Sequence, residues 1–428
     1  MRSATRIIGC TIASASYGSY VRVLAARWHE FHPHLPFCAL FVDGGAPALE
    51  EGTRVVSCED VGLSSAEVEI RRGIYNLREF CLSLKAELLK ALLAEGYDAA
   101  VYLDPDTGLY ADLEDVGHAA ATYGIALAPH LLRPPPRDGL YPSDFEILKT
   151  GVFNGGLIAV GRDAKPFLEW WSGHLRRDCL DELGDGFHAD QTWLQSIPQY
   201  FRYTALFDPT LNVAHWNVHE RDLEHVEGRY LVAGKPLRTF HFSQFDPDNP
   251  DSLCSREAPT RYRVDPTRNP TVFQLLREYA TELLKAGYRE SRALGYAYSA
   301  SVSGLELGRW ERAVYREAVL AAEARGGAPP PSPFDSARVE DFERLVGDPS
   351  SLSSLSEPAR SRLELLRPQT RPRFVLVRAA RRLLRAARYA LTGRLTRRPL
   401  DPDLQGHVTS AAVLREYEYP SATALADP

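Results

Sequence analysis

Over the first 130 residues two apolar patterns alternate along the chain. Short, nearly unbroken apolar runs cover Arg6–Ala13, Phe37–Val42 and Asp98–Leu103, and Thr53–Cys58 reads as a shorter strand. Runs of this length without polar alternation predict strands buried on both faces. Between them the apolar positions fall at helical spacing. Tyr17–His29 places Val21, Leu24, Ala25 and Trp28 on one face. Asn76–Glu95 does the same with Leu77, Phe80, Cys81, Leu84, Leu88, Leu89 and Leu92, and Gly96 supplies the stop. Strands alternating with helices predict an α/β fold with a mostly parallel central sheet and helices on both faces. In such sheets ligands gather at the carboxyl ends of the strands. Asp43 and Asp104 each end one of these strands.

The pattern continues with a strand at Gly124–Pro129, a Pro-rich loop from Pro134 to Pro142, a strand at Thr150–Val160 and a helix at Ala164–Arg177. A loop of that length is either a lid over a site or plain surface. Trp170 and Trp171 on the helix read as core. Residues 190–250 mix short strands with aromatic turns. Beyond Pro270 the texture turns helical, with amphipathic stretches at Val272–Ala286 and Trp310–Ala324 and a Pro-rich linker at Ala328–Pro333. The expected organisation is an α/β domain over residues 1–265, a helical extension over 266–350 and a tail over 351–428.

Charge changes the picture only near the C-terminus. The formal net charge is −6, yet Leu365–Pro399 holds eleven arginines and no acid, so elsewhere 39 basic residues face 56 acidic ones. Basic charge confined to one segment argues against a nucleic-acid binder. Phe374–Leu395 combines Leu376, Ala380, Leu383, Leu384, Ala387 and Leu391 at helical spacing with arginines on other faces. Such a basic amphipathic helix can lie on an anionic membrane surface, pack on the acidic body or bind a partner protein. No apolar stretch is long enough to span a bilayer. The six cysteines are scattered and mostly set in apolar runs, as free thiols in a reducing compartment are. The expected location is therefore the cytoplasm, with the inner face of the membrane as one of the three options for the basic helix.

The candidate chemistry starts at Val101-Tyr102-Leu103-Asp104-Pro105-Asp106-Thr107. An apolar strand delivers two carboxylates, at i and i+2, to its own carboxyl end, where both can face one hard divalent cation. A polar turn is the bland alternative. Phe153-Asn154-Gly155-Gly156 follows, with two glycines that let backbone approach a ligand closely. Asp190-Gln191 comes next, and then His241 within Thr239-Phe240-His241-Phe242-Ser243, a potential metal ligand between apolar neighbours.

In this order, Leu-Asp-x-Asp, Phe-Asn-x-Gly, Asp-Gln and His-Phe-Ser, the set resembles nucleotide-sugar-dependent glycosyltransferases of the GT-A fold, specifically the retaining family 8 type and related bacterial enzymes. The resemblance covers roughly residues 5 to 250. It implies Mn²⁺ or Mg²⁺ held by Asp104, Asp106 and His241, and a nucleoside-diphosphate sugar, expected to be a UDP-sugar, as donor. It implies that Thr11, Ala13, Tyr17 and Asp43 hold base and ribose, that Asp104 also touches the ribose, and that Lys85 contacts donor sugar or phosphate. Asn154, Asp190 and Gln191 match positions around the transferred sugar and acceptor and are the catalytic residues the resemblance implies, with Gly155 against the donor; the acceptor would be a glycan, a lipid-linked sugar or a small molecule. His215, Trp216, Asn217 and Arg221 lie in a segment similar to one in bacterial relatives and could line the pocket or merely shape a turn. The chain departs from the family after His241, where Ser243-Gln244-Phe245-Asp246 replaces a segment ending in a diphosphate-binding lysine. Arg238, Arg261 or Arg263 could substitute. Two competing readings are a catalytically degenerate scaffold that binds nucleotide sugars, and a haloacid-dehalogenase-like phosphatase, whose nucleophile strand should however open the domain. Unpaired carboxylates kept at a strand end are costly without a function, which counts against the scaffold.

Overall fold

The computed structural model describes residues 5–348, apart from 183–185, 253–261, 265–266 and 268, together with Leu363. Its centre is a seven-stranded sheet in the order Thr204–Ala205, Ile125–Pro129, Phe153–Gly161, Ala99–Leu103, Ile7–Ala13, Phe37–Phe41, Thr53–Val56. All pairings are parallel except those of Phe153–Gly161, which runs antiparallel to both neighbours. The mixed, mostly parallel α/β architecture expected from the apolar runs is present. The one reversed strand has a topological cause. It follows the long loop and the short helix Asp144–Thr150 and not a crossover helix, so the chain re-enters the sheet from the opposite end.

Every residue of the five central strands is buried, whereas the edge strand Thr53–Val56 is partly exposed and carries Arg54, paired with Glu95 at 2.7 Å. This explains the unbroken apolar runs of the centre and the shorter, more polar edge. Helices Gly18–Phe31 and Glu114–Tyr123 cover one face, with Trp28, Val116 and Ala120 at 0–1% exposure. Helices Lys85–Ala94 and Lys165–Leu175 cover the other, where Leu88, Phe167 and Trp171 join the main core. Trp171 is thus core, as expected, and Trp170 packs edge-on against Trp193.

The periodicity of Asn76–Glu95 predicts one helix, but two are present, Leu77–Ser83 and Lys85–Ala94, separated at Leu84 (φ −95°, ψ −4°). Ser83 Oγ donates to Phe80 O at 2.8 Å and Asn76 caps the first helix in a reciprocal box with Glu79. A hydroxyl bonded back to its own turn competes with helix continuation. The break makes Lys85 the first residue of the second helix.

The helices beyond Pro270 share cores with the α/β layers. Tyr279 and Leu283 of Pro270–Lys285 pack with Tyr20 and Val23 of the first helix. Val314, Tyr315 and Val319 of Arg309–Ala324 pack with Val68 and Ile74 of a helix, Ser65–Ile74, that the apolar pattern does not reveal. That helix buries Arg71, held by Glu67 at 2.8 Å and Glu87 at 3.0 Å, so its inner face reads as polar. No helix among the described residues is long and apolar enough to cross a membrane. The basic segment 374–395 and Arg261 lie outside the described residues.

Candidate active site

The site forms where the strand Ala99–Leu103 ends beside the start of Phe153–Gly161. Asp104 N donates to Gly156 O at 2.9 Å, which ties the two strand ends together. Three residues later Thr107–Leu109 pairs antiparallel with Thr239–His241, placing His241 directly opposite Thr107. Phe242 N donates to Asp106 O at 2.8 Å and extends that register. A small second sheet thus carries a residue 135 positions downstream to the paired aspartates. One ligand atom from each of Asp104, Asp106 and His241 lies within 4.8 Å of the others. His241 Nε2 stands 3.2 Å from Asp106 Oδ1 and 3.8 Å from Asp104 Oδ2. Two carboxylates and an imidazole, partly shielded from water, are a donor set that fits Mn²⁺ or Mg²⁺.

Lys85 is the hub on the sheet side. Its ammonium donates to Gly155 O and Asp190 Oδ2, both at 2.9 Å, and pairs with Asp104 Oδ1 at 3.2 Å, while lying 4.6 Å from the centre of the Tyr102 ring. Burial alone would lower its pKa, but Asp104 and Asp190 hold it above the usual lysine value. Asp104 is the mirror case. Burial would raise its carboxyl, while Lys85, His241 and the Tyr102 hydroxyl, which donates to Asp104 Oδ1 at 2.9 Å, hold it below the usual range. His241 is likewise pushed down by burial and up by Asp106 and Asp104, and the carboxylates win.

Comparison with known proteins places glycosyltransferases around this chain. Among solved structures it is similar to the galactosyltransferase LgtC in complex with donor and acceptor sugar analogues (16% identity, 68% of this chain and 98% of that one, TM-score 0.38). It is also similar to the glycosyltransferase GlyE of Streptococcus pneumoniae (14%, 68% and 64%, TM-score 0.36) and to the bifunctional WbbM (13%, 67% and 52%, TM-score 0.38). In sequence it is 25% identical over 251 residues to the uncharacterized protein YfnF of Bacillus subtilis, covering 55% of this chain and 80% of that one. It is 25% identical over 176 residues to YfnD of the same organism, of which it spans about half (54%). No family model matches the chain.

The residues singled out in the sequence fall into three groups. Asp104, Asp106, His241, Lys85, Asp190, Asn154, Gly155 and Gln191 converge. Asp190 Oδ2 lies 2.7 Å from where a Cβ on Gly155 would sit, and Gln191 Oε1 accepts from Gly155 N at 2.8 Å. Gln191 Nε2 donates to Thr150 O, so this amide also ties down the end of the helix Asp144–Thr150. At the far end of the strand crest, Asp43 accepts the Ala15 N–H with both oxygens, at 2.9 and 3.1 Å, and fixes the exit of the first strand. Tyr17 is stacked on Tyr20 there, with the Arg292 guanidinium 5.8 Å from its ring, and its hydroxyl is pushed up to about 12 by burial and the nearby Asp106. Thr11 and Ala13 are buried in the first strand, at 0% and 2% exposure.

The third group surrounds the metal triad. Trp216 lies edge-on to His241, His215 and His130 at 5.3, 4.9 and 5.4 Å. Tyr141 of the Pro-rich loop stacks on His215 at 6.3 Å and meets Tyr262 edge-on. Arg263 closes that loop by binding Asp138 and the carbonyls of Pro136 and Pro142. Arg238 is occupied by Asp115 and Asp208. Both described arginines proposed for the missing lysine are therefore engaged elsewhere. His130 is the residue sequence reasoning passed over. It follows Pro129 at the carboxyl end of a strand, the same position that marks Asp43 and Asp104.

Proposed function

We propose that this chain is a divalent-metal-dependent glycosyltransferase of the GT-A type, moving a sugar from a nucleoside-diphosphate sugar to a glycan, lipid-linked or small-molecule acceptor. The observation that carries the reading is the convergence of Asp104, Asp106 and His241 within 4.8 Å at the carboxyl end of the central sheet, with Lys85 and Asp190 alongside. The likeness to glycosyltransferases agrees with it. A cation bound by the triad would neutralise the diphosphate as the sugar–phosphate bond breaks. Lys85 orients Asp104 and Asp190 through one buried ammonium and holds both carboxylates in place. Asp190, between Lys85 and Gly155, faces the transferred sugar, and Gln191 supports it by fixing the Gly155 backbone. Tyr17 and Asp43 flank the nucleoside end, where Arg292 offers a cation for the donor. Retention of configuration follows from the family resemblance, and a UDP-sugar is the first donor to test.

Calorimetry with Mn²⁺ and then UDP is expected to show cation-dependent nucleotide binding that Asp106→Ala abolishes. Absence of heat with UDP and GDP alike, or an unaffected variant, would sink the reading.

A further inference from the structure

The amide side chains behind the metal triad form a hydrogen-bond relay whose direction is fixed by two backbone donors. Gly156 N donates to Asn154 Oδ1 at 2.9 Å, and Gly155 N donates to Gln191 Oε1 at 2.8 Å. A backbone N–H can only donate, so each of these side-chain atoms must be the carbonyl oxygen, which removes the usual ambiguity of amide orientation. Asn154 Nδ2 is then the donor to Gln191 Oε1 and to His130 Nε2, both at 3.2 Å. Asn154 Oδ1, an acceptor only, lies 3.3 Å from His241 Nδ1. The imidazole nitrogen facing it must carry a proton.

We propose that Asn154 is a positioning residue that holds His241 with its proton on Nδ1, so that Nε2 presents a lone pair to the cation between Asp104 and Asp106. The proposal rests on the metal-dependent reading above. Its physical basis is competition. Both aspartates face Nε2 and, with no cation between them, draw the ring proton toward that nitrogen. An acceptor on the far side of the ring offsets this pull and fixes the ring plane as well. His130 completes the relay from behind. Its Nε2 accepts from Asn154, which requires a neutral ring, and burial lowers its pKa to about 3. Gly156 leaves the space: a Cβ there would collide with the His241 ring and crowd Asn154 Oδ1.

The test is Mn²⁺ binding without nucleotide, followed by electron paramagnetic resonance of the free ion. Asn154→Leu keeps the size and removes the acceptor, and is expected to weaken Mn²⁺ binding roughly 10–100-fold. Asn154→Asp keeps an acceptor toward Nδ1 and is expected to stay within a few-fold of wild type. If Asn154→Leu binds Mn²⁺ as wild type does, or if both variants lose binding equally while melting as wild type does, the proposal is overturned. A second measurement does not depend on any variant folding. In Mg²⁺-saturated wild-type protein, long-range ¹H–¹⁵N correlation at His241 should show a protonated Nδ1, and a protonated Nε2 overturns the proposal. Failure of wild type itself to bind Mn²⁺ would instead remove the metal-dependent reading on which the relay depends.

Discussion

At the scale of single residues, the site is an arrangement of opposite charges that only burial makes consequential. Lys85 has 1% side-chain exposure and sits among Asp104, Asp190 and the Gly155 carbonyl. Removing one partner of such a set leaves the others uncompensated, which typically costs about 3–5 kcal/mol. Lys85→Met is therefore expected to lower the melting temperature by many degrees in metal-free buffer. Mn²⁺ should recover more of that loss in the variant than it adds to wild type, because the ion then supplies the missing positive charge. Equal Mn²⁺ shifts in both proteins would refute this account. The residue types of the site were legible in the sequence because aspartates, asparagine and histidine at strand ends are conspicuous against apolar runs. Their partners were not. That Gln191 is bound to Thr150 and Gly155, and that Arg263 is bound to the Pro-rich loop, depends on which loops face each other in space.

At the scale of elements, the strands were readable because full burial forbids polar interruption, and the helices were readable where one face is apolar. Reading failed where a buried face is polar. The helix Ser65–Ile74 hides Arg71 within a network that also takes in Glu67, Arg177 and Glu323. Its Gly73 faces the helix Arg309–Ala324 so closely that a Cβ would stand 2.5 Å from Tyr315 Cε1. Gly73→Ala is expected to destabilise the protein by about 1–3 kcal/mol through overpacking. Urea unfolding should show it, and Tyr315→Leu in the same chain should recover part of the loss. No recovery would mean that the two helices do not meet at this point. Arg312 adds a polar seam to the same junction by donating to the carbonyls of Arg72, Gly73 and Tyr75 at the end of the helix.

At the scale of the whole molecule, buried neutral histidines link folding to pH. His130 and His215 are lowered to about 3 and His219 to about 4, in each case chiefly by burial. In the unfolded chain these rings take up protons near pH 6.5. Between there and their folded values the unfolded state binds more protons, so stability rises with pH across that window and falls on acidification. From these groups the melting temperature should be level above about pH 7 and decline steadily from about 6.5 toward 4. His215→Asn should flatten the decline, and a variant with the wild-type slope would exclude His215 as a source. Trp216 emission of the folded protein should stay level across that window, since His130 and His215 beside its ring remain neutral until the chain unfolds.

The sequence alone determined the α/β layering, the strand ends at which ligands gather and the residue types suited to a divalent cation. It could do so because apolar periodicity follows directly from which face of an element is buried. Tertiary structure decided the rest. The break at Leu84, the reversed strand Phe153–Gly161 and the pairing of Thr107–Leu109 with Thr239–His241 together brought Lys85, Asn154 and His241 to the paired aspartates. Each of these depends on contacts between residues far apart in the chain, and no local pattern carries that information.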